Sequence, residues 1–409
     1  MSINVGRCGE CPSSESVADV SQPADPGRTP FEDAKISNHQ DSPQSASSQV
    51  DSEANEPPQG NPDEPPKLAA SRAYTLSLSP YFLYTRSELI SVLISSKVYR
   101  QLEFMAVGSW WIHSPETLNA EGHELGATRV FHRVPGNRED VFADSNISMK
   151  SKRTLMRFLR HISKPQDEEE QDETEEKEDL SMPFADYLSS NFSVPQDLQD
   201  PLLSLSLSQL AQQDTSASYA IPRIKRHLAS IGALGPGFGG VVSKYGGGSE
   251  ILQVGCRASA VGGAVYALDT GIQSITDGEL SSESEHPVEV HLSNGETIRT
   301  RILIGSAWDL PSIEQPSCTK VSRSITIASS AFTSLFPVTA EGAPVPASAV
   351  LMFPGDTLGN PGSPPVYLQV HSSDTGDCPR QQSKFSQLSC SYLPSSCSYD
   401  DSLLLIYIA

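Results

Sequence analysis

The sequence predicts a mixed α/β or α+β fold in which a small helical domain interrupts a β-containing one. Three observations predict it. The clearest helical periodicity falls within residues 148–232. Alternating or continuous apolar runs flank that block on both sides. The remaining segments are acidic or rich in Pro and Ser, a composition that cannot bury enough apolar surface to offset the entropy of ordering.

The chain starts with such a segment. Residues 1–70 hold 12 acidic and 4 basic side chains, ten Pro and eleven Ser, with Phe31 as their only aromatic, so an acidic arm without fixed structure is expected. Order is expected from about Ser71. Thr85-Arg86-Ser87-Glu88 reads as a capping box ahead of Leu89, Ile90, Val92, Leu93 and Ile94. Leu102, Phe104 and Ala106 then alternate and run into Trp110-Trp111-Ile112, which reads as a strand or hairpin over 98–112. Residues 71–147 form the first part of the outer domain.

From Ser148 the period is helical: Leu155, Phe158, Leu159 and Ile162 share one side, with Lys152, Arg153, Arg157 and Arg160 on the other. Short helices are expected over Phe184 to Leu188 and Leu202 to Leu210, and Ile221, Ile224, Leu228 and Ile231 repeat the stripe. The helical domain of 148–232 is interrupted by residues 164–179, where ten acidic residues and two Lys predict a solvated loop. The second part of the outer domain spans 233–378. There Val288, Val290 and Leu292 alternate, Asn294-Gly295 makes a hairpin turn and Ile298 to Ile304 returns. Further strands are expected at Ser324 to Ala328, Ala349 to Phe353 and Val366 to His371. Residues 379–409 are Ser-rich and end in the apolar run Leu403 to Ile408, too short to span a bilayer, so a low-complexity tail without structure is expected.

The balance of 29 basic against 50 acidic residues, net −21, argues against a nucleic-acid partner or an anionic-membrane binder, which needs clustered Lys and Arg. The two acidic segments carry 16 of those 21 charges, so the folded remainder is only mildly acidic. No 18-residue apolar window and no signal-peptide start are present, which predicts a soluble cytosolic chain. Seven scattered Cys argue against a disulfide framework, and the sequons at Asn146 and Asn191 are expected to be unused. Cys8-Gly-Glu-Cys11 has no second pair at zinc spacing, so no metal site is expected.

Gly235-Pro-Gly-Phe-Gly-Gly240 satisfies GxGxxG, but a helical stripe precedes it and a β-like Val241-Val242 follows. That order is reversed for a dinucleotide site and predicts a Gly-rich connection. The next segment, Tyr245 to Gly263, places Glu250, Gln253 and Arg257 at i, i+3 and i+7. Spacing alone favours a solvated helix face there. Cys256 is expected to be a small buried residue, and no nucleophile stands beside a base, so no catalytic residues are expected.

Four stretches carry a resemblance to the Rab escort proteins, the accessory component A of Rab geranylgeranyltransferase, and more distantly to the Rab GDP dissociation inhibitors. They are Ser71 to Leu76 with Leu83 to Ser87 and Tyr99 to Phe104; Val134 to Phe142 with Lys152 to Leu159; Tyr245 to Leu268; and Val366 to Gly376. Together they cover roughly residues 71–376 in family order. The resemblance implies a flavoprotein-like domain I with an inserted helical domain II, no cofactor, and no catalysis of its own. It implies a chaperone that binds GDP-bound Rab GTPases, presents them to the catalytic geranylgeranyltransferase heterodimer and delivers the prenylated Rab to membranes. Rab contacts would fall on Tyr245, Glu250, Gln253 and Arg257, and transferase docking on Phe158. Such a protein would work in the cytosol, with the nucleus and transient membrane association as further places. The family's opening strand, Gly-rich turn and helix have no counterpart in residues 1–70, nor has its closing Gly-rich segment, so domain I is expected to lack its first βαβ unit. An FAD-dependent oxidoreductase of the same fold superfamily and an inactive fragment are the alternatives.

Overall fold

The computed structural model describes residues 2–5, 34–37, 68–114, 131–135, 138–143, 147–163, 179–277, 288–305, 310, 321–358 and 362–390. Strands β1 (Ser2–Val5) and β2 (Ala34–Ser37) come first. The short strand β3 (Leu83–Tyr84) leads into helix α1 (Glu88–Ser95), a 3-10 turn (Val98–Gln101), strand β4 (Phe104–His113), strand β5 (Phe131–Arg133) and helix α2 (Arg138–Ala143). A helical block follows: α3 (Met149–Ile162), α4 (Phe184–Tyr187, continued by a π turn over Leu188–Phe192), α5 (Gln199–Ser206) and α6 (Ala217–Ser230). Strand β6 (Gly240–Ser243) then feeds helix α7 (Gly248–Val261). A meander of β7 (Ile272–Asp277), β8 (Val288–Leu292) and β9 (Thr297–Thr300) forms a sheet of its own. The last strands are β10 (Val321–Ala328), β11 (Ser348–Phe353), β12 (Val366–Ser372) and β13 (Ser383–Cys390).

The main sheet runs β2-β1-β10-β13-β12-β11-β4-β6-β3, with β5 added to β4. Its β4–β11 pair is parallel, and the other pairs among the described residues are antiparallel. β11 is buried at every position because both sheet faces are covered. Val350 and Met352 join Leu155, Phe158, Tyr187, Leu202 and Ile224 in a core shared between sheet and helical block. Ala349, Leu351 and Phe353 face the other way, onto Leu335, Phe336, Leu368, Val370 and Phe385. A third cluster of Ile90, Leu93 and Val241 packs α1 against β6 and takes up Ile251 of α7.

Several local expectations need correction. The helix after Tyr84 is capped by Ser87, whose Oγ accepts from the Ile90 amide at 3.4 Å, while Thr85 instead donates to the Ser230 carbonyl at 2.5 Å. Lys152 is not on the solvated face of α3. It is buried, and its Nζ donates to the Phe142 carbonyl at 2.8 Å, satisfying an acceptor near the end of α2. The arm expected to be without structure contributes β1 and β2, which extend the sheet beyond β10. The largest correction concerns residues 379–409, because Ser383–Cys390 forms β13, paired on both sides by β10 and β12. Its inward side chains are Ser, Lys and Gln as well as Phe385, so no apolar alternation marks the strand. The acidic run 164–178, the Cys8–Cys11 pair and the end of the chain beyond Cys390 lie outside the described residues.

Candidate functional site

Helix α7 starts from a turn that only small residues can make. Gly246 and Gly247 have φ of 122° and 60°, and a Cβ on Gly248 would sit 2.4 Å from the Tyr81 ring. Gly262 and Gly263 end the helix, the latter with φ of 97°. Of its fourteen residues only Val254 is buried, with Ile251 half-buried against the α1 cluster. The rest of the helix is therefore a surface rather than a core element.

That surface carries the predicted stripe. Arg257 Nη2 donates to Glu250 Oε1 at 3.1 Å, with side chains 58% and 24% exposed, and exposed Gln253 lies between them in sequence. At such exposure the pair adds little to stability; it presets the guanidinium and carboxylate relative to each other. Glu250 in the first turn also sits favourably in the helix dipole. Tyr245, just ahead of the helix, is 58% exposed with φ of 63°. The Lys244 ammonium stands 4.9 Å from its ring centroid and pairs with Glu103 at 2.8 Å. Leu252 on the same helix is 75% exposed. The stripe thus offers a cation, a carboxylate and an amide to a partner, and the start of the helix adds a phenol, whereas Leu252 points to another side of the helix.

Other sequence-predicted residues fall elsewhere. Phe158 is fully buried in the helical block, its ring centroid 5.3 Å from Phe192 and 6.2 Å from Phe184. It presents no surface for docking, because the i, i+3, i+4 stripe it belongs to is the inward one. Cys256 is half-buried rather than buried, since its side of α7 lacks a covering element. Residues 235–240 connect α6 to β6, so no helix N-terminus opens from that turn.

Two features escaped the sequence. A cavity of about 780 Å³ lies between the helical block and the ends of β4 and β5, with Ile112, Val134, Leu155, Leu159, Leu202 and Leu228 in its lining. Arg133, His132 and Arg160 also border it. Its volume is that of a small-molecule site, but its walls come from segments far apart in the chain. The second is the buried cluster of His371, Asp377 and Lys384, in which Asp377 Oδ2 accepts from Lys384 Nζ at 2.5 Å and pairs with His371 Nδ1 at 2.7 Å. A Lys in a Ser-rich stretch gives no hint of burial; only its spacing from Asp377 across a loop could have done so. Among the described residues there is no group of three or more His, Cys, Asp or Glu able to hold a metal, and no helix is long and apolar enough to cross a membrane.

Comparison with known proteins bears on the chain as a whole. The Rab geranylgeranyltransferase component A of Candida albicans is 28% identical over 76% of this chain and 46% of that protein. The component A of Drosophila melanogaster is 29% identical over 60% of this chain and 43% of its own length, and the Rab escort protein 1 of Arabidopsis thaliana 24% over 57% and 41%. The chain thus spans somewhat under half the length of these relatives. The solved Rab GDI from Plasmodium falciparum superposes over 80% of this chain and 69% of that one, with a TM-score of 0.58 at 16% identity, which establishes a shared fold. The family model for GDP dissociation inhibitors matches residues 43–339, and by that match over most of its length the chain belongs to the GDP dissociation inhibitor family.

Proposed function

We propose that this protein binds GDP-bound Rab GTPases through the exposed face of α7 and serves as the escort component of Rab geranylgeranylation. The observation that carries this is α7 itself: a helix with one buried residue, presenting Glu250, Gln253 and Arg257 on one stripe and Tyr245 at its start. Relatives named as component A or Rab escort protein support the same task. In this role the chain presents the Rab C-terminus to a separate catalytic heterodimer and performs no transfer itself. The apolar cavity beside α3 suits the isoprenoid chain of the product, which would otherwise face water on the way to a membrane. The site of work is then the cytosol, with membrane contact made transiently through prenylated Rab. Transferase docking would rest on the solvent side of α3, where Lys150, Arg153, Arg157 and Arg160 are exposed, and Phe158 would hold that helix in place from inside.

Titrating GDP-bound Rab against the purified chain tests this. Arg257→Ala is expected to weaken binding by about ten- to a hundredfold, the loss of a hydrogen bond to a charged group, with the melting temperature unchanged because the side chain is exposed. Unchanged affinity would remove α7 from the interface. In a prenylation assay, lipid should reach Rab only when the catalytic heterodimer is added; transfer by this chain alone would refute the accessory role.

A further inference from the structure

The buried cluster lies directly beneath the start of α7, and the connection between the two is continuous. Asp377 Oδ2 holds both Lys384 Nζ and His371 Nδ1, and these side chains are 3%, 1% and 7% exposed. The Asp377 main chain accepts from the Thr75 amide at 2.9 Å, while Lys384 Nζ reaches back to the Thr75 carbonyl at 3.4 Å. The turn Ser373–Thr375 sits between His371 and Asp377, and its Thr375 hydroxyl donates to the Ser372 carbonyl at 2.9 Å. From this turn the Thr375 carbonyl accepts from the Tyr245 amide at 2.8 Å. Gly376 follows with φ of 76°, and a Cβ there would lie 2.4 Å from the Tyr245 ring. On the other side, a Cβ on Gly246 would come within 3.1 Å of Thr75 Cγ2.

A buried ion pair is a poor way to gain stability, because apolar side chains of the same volume do at least as well. Here, among the described residues, Asp377 Oδ1 and His371 Nε2 have no hydrogen-bond partner at all, which makes the cluster costlier still. What charge-assisted bonds supply instead is direction: two donors converging on one oxygen fix where the Asp377 backbone and its turn must lie. Burial holds His371 uncharged, its pKa lowered against the pull of Asp377, so the charges of Asp377 and Lys384 face each other alone.

We propose that His371, Asp377 and Lys384, with the Ser373–Gly376 turn above them, form a socket that sets the position of Tyr245 and the first turn of α7, and are therefore positioning residues for Rab binding. This rests on α7 being the Rab-facing surface.

The test is a double-mutant cycle on GDP-bound Rab affinity, using the full chain with Gly376→Ala, Tyr245→Ala and both. If Gly376 acts through the seat of the Tyr245 ring, Gly376→Ala weakens binding by about tenfold alone and by less than about twofold when Tyr245 is already Ala. A second variant, Asp377→Asn with Lys384→Met, keeps the volume of the cluster while removing its charges. It is expected to unfold cooperatively at a melting temperature near the unaltered chain's, to bind Rab several-fold more weakly, and to exchange the Tyr245 amide hydrogen faster. Losses that add in the cycle, or a neutral-pair variant with unaltered affinity and unaltered Tyr245 exchange, would overturn the socket while an Arg257→Ala effect leaves the Rab surface standing. No binding by the unaltered chain would overturn both.

Discussion

Phe158 and Lys384 are 0% and 1% exposed, and their surroundings could hardly differ more. Around Phe158 the helical block supplies Phe184, Tyr187, Leu188 and Phe192, an apolar cluster in which packing dominates and polar contacts, Arg157 over the Phe192 ring and Tyr187 Oη to His161, lie only at its edge. Around Lys384 the sheet and the loop before it supply His371, Asp377, Ser383, Ser386 and Gln387, a region equally dry in which the bonds of Asp377 to Lys384 and His371 set position. Apolar packing tolerates small shifts, since dispersion is nondirectional and spread over many contacts. A carboxylate oxygen shared by two donors does not. The first region closes a core; the second lies where a surface helix must be held at a fixed place.

Truncating one residue in each region should have the largest effect, and a similar one. Phe158→Ala is expected to cost about 3–5 kcal/mol through the cavity it leaves. Asp377→Ala is expected to cost about 3–5 kcal/mol by leaving Lys384 buried without its counter-charge. The regions separate on repair. Lys384→Met added to Asp377→Ala should recover most of the loss, because the remaining group is apolar, whereas no charge change rescues Phe158→Ala. Urea unfolding of these three variants decides, and failure of the second-site repair would mean that the Asp377 side chain is needed for its other bonds.

The next effect depends on pH. His227, packed 4.6 Å from the Trp110 ring and 5.8 Å from Tyr84, is held uncharged by burial, which lowers its pKa from 6.5 to about 4. Between those values the unfolded chain binds more protons than the folded one, so stability falls as pH drops through 6.5 and levels off near 4. For one such histidine the loss between pH 7 and pH 5 is about 2 kcal/mol. His371, also lowered by burial, acts in the same direction. Asp377 acts later: burial raises its pKa, but the His371 hydrogen bond and the Lys384 charge outweigh that and lower it overall. Its contribution is present above pH 3.8 and is lost only below that. His227→Phe should therefore flatten much of the pH 7 to 5 slope in urea midpoints, and an unchanged slope would assign it to other groups.

How far each region could be read from the sequence follows the same division. The stripe of Leu155, Phe158, Leu159 and Ile162 gave α3, and the continuous run Ala349 to Phe353 gave β11, because apolar periodicity is what both cores are made of. The Glu250, Gln253 and Arg257 spacing gave the face of α7, since an exposed stripe needs only helical geometry. β13 was invisible. A strand whose inward residues are Ser383, Lys384 and Gln387 has no hydrophobic pattern, and the partner that makes Lys384 burial possible is across a loop. The cavity was hidden for a related reason: its walls meet only after the helical block has folded onto β4 and β5.

The smallest predicted difference compares local caps in the two regions. Ser148 starts α3, and its Oγ accepts from the Ser151 amide at 3.1 Å and also meets the Ser151 hydroxyl at 2.8 Å. Loss of such a cap leaves an orphan amide at the start of a fourteen-residue helix, so Ser148→Ala is expected to lower stability by about 1 kcal/mol. Ser372 plays the equivalent part in the β12–β13 loop, where its Oγ accepts from the Asp374 amide at 3.3 Å in an exposed position. Water can replace that bond, and the turn is already fixed by the Thr375 hydroxyl and by Asp377 beneath it, so Ser372→Ala should change stability by less than about 0.5 kcal/mol. Urea midpoints of the two variants measure the contrast directly. A Ser372→Ala loss as large as that of Ser148→Ala would mean that the loop depends on its own local bonds, and that the buried cluster fixes it less firmly than its geometry implies.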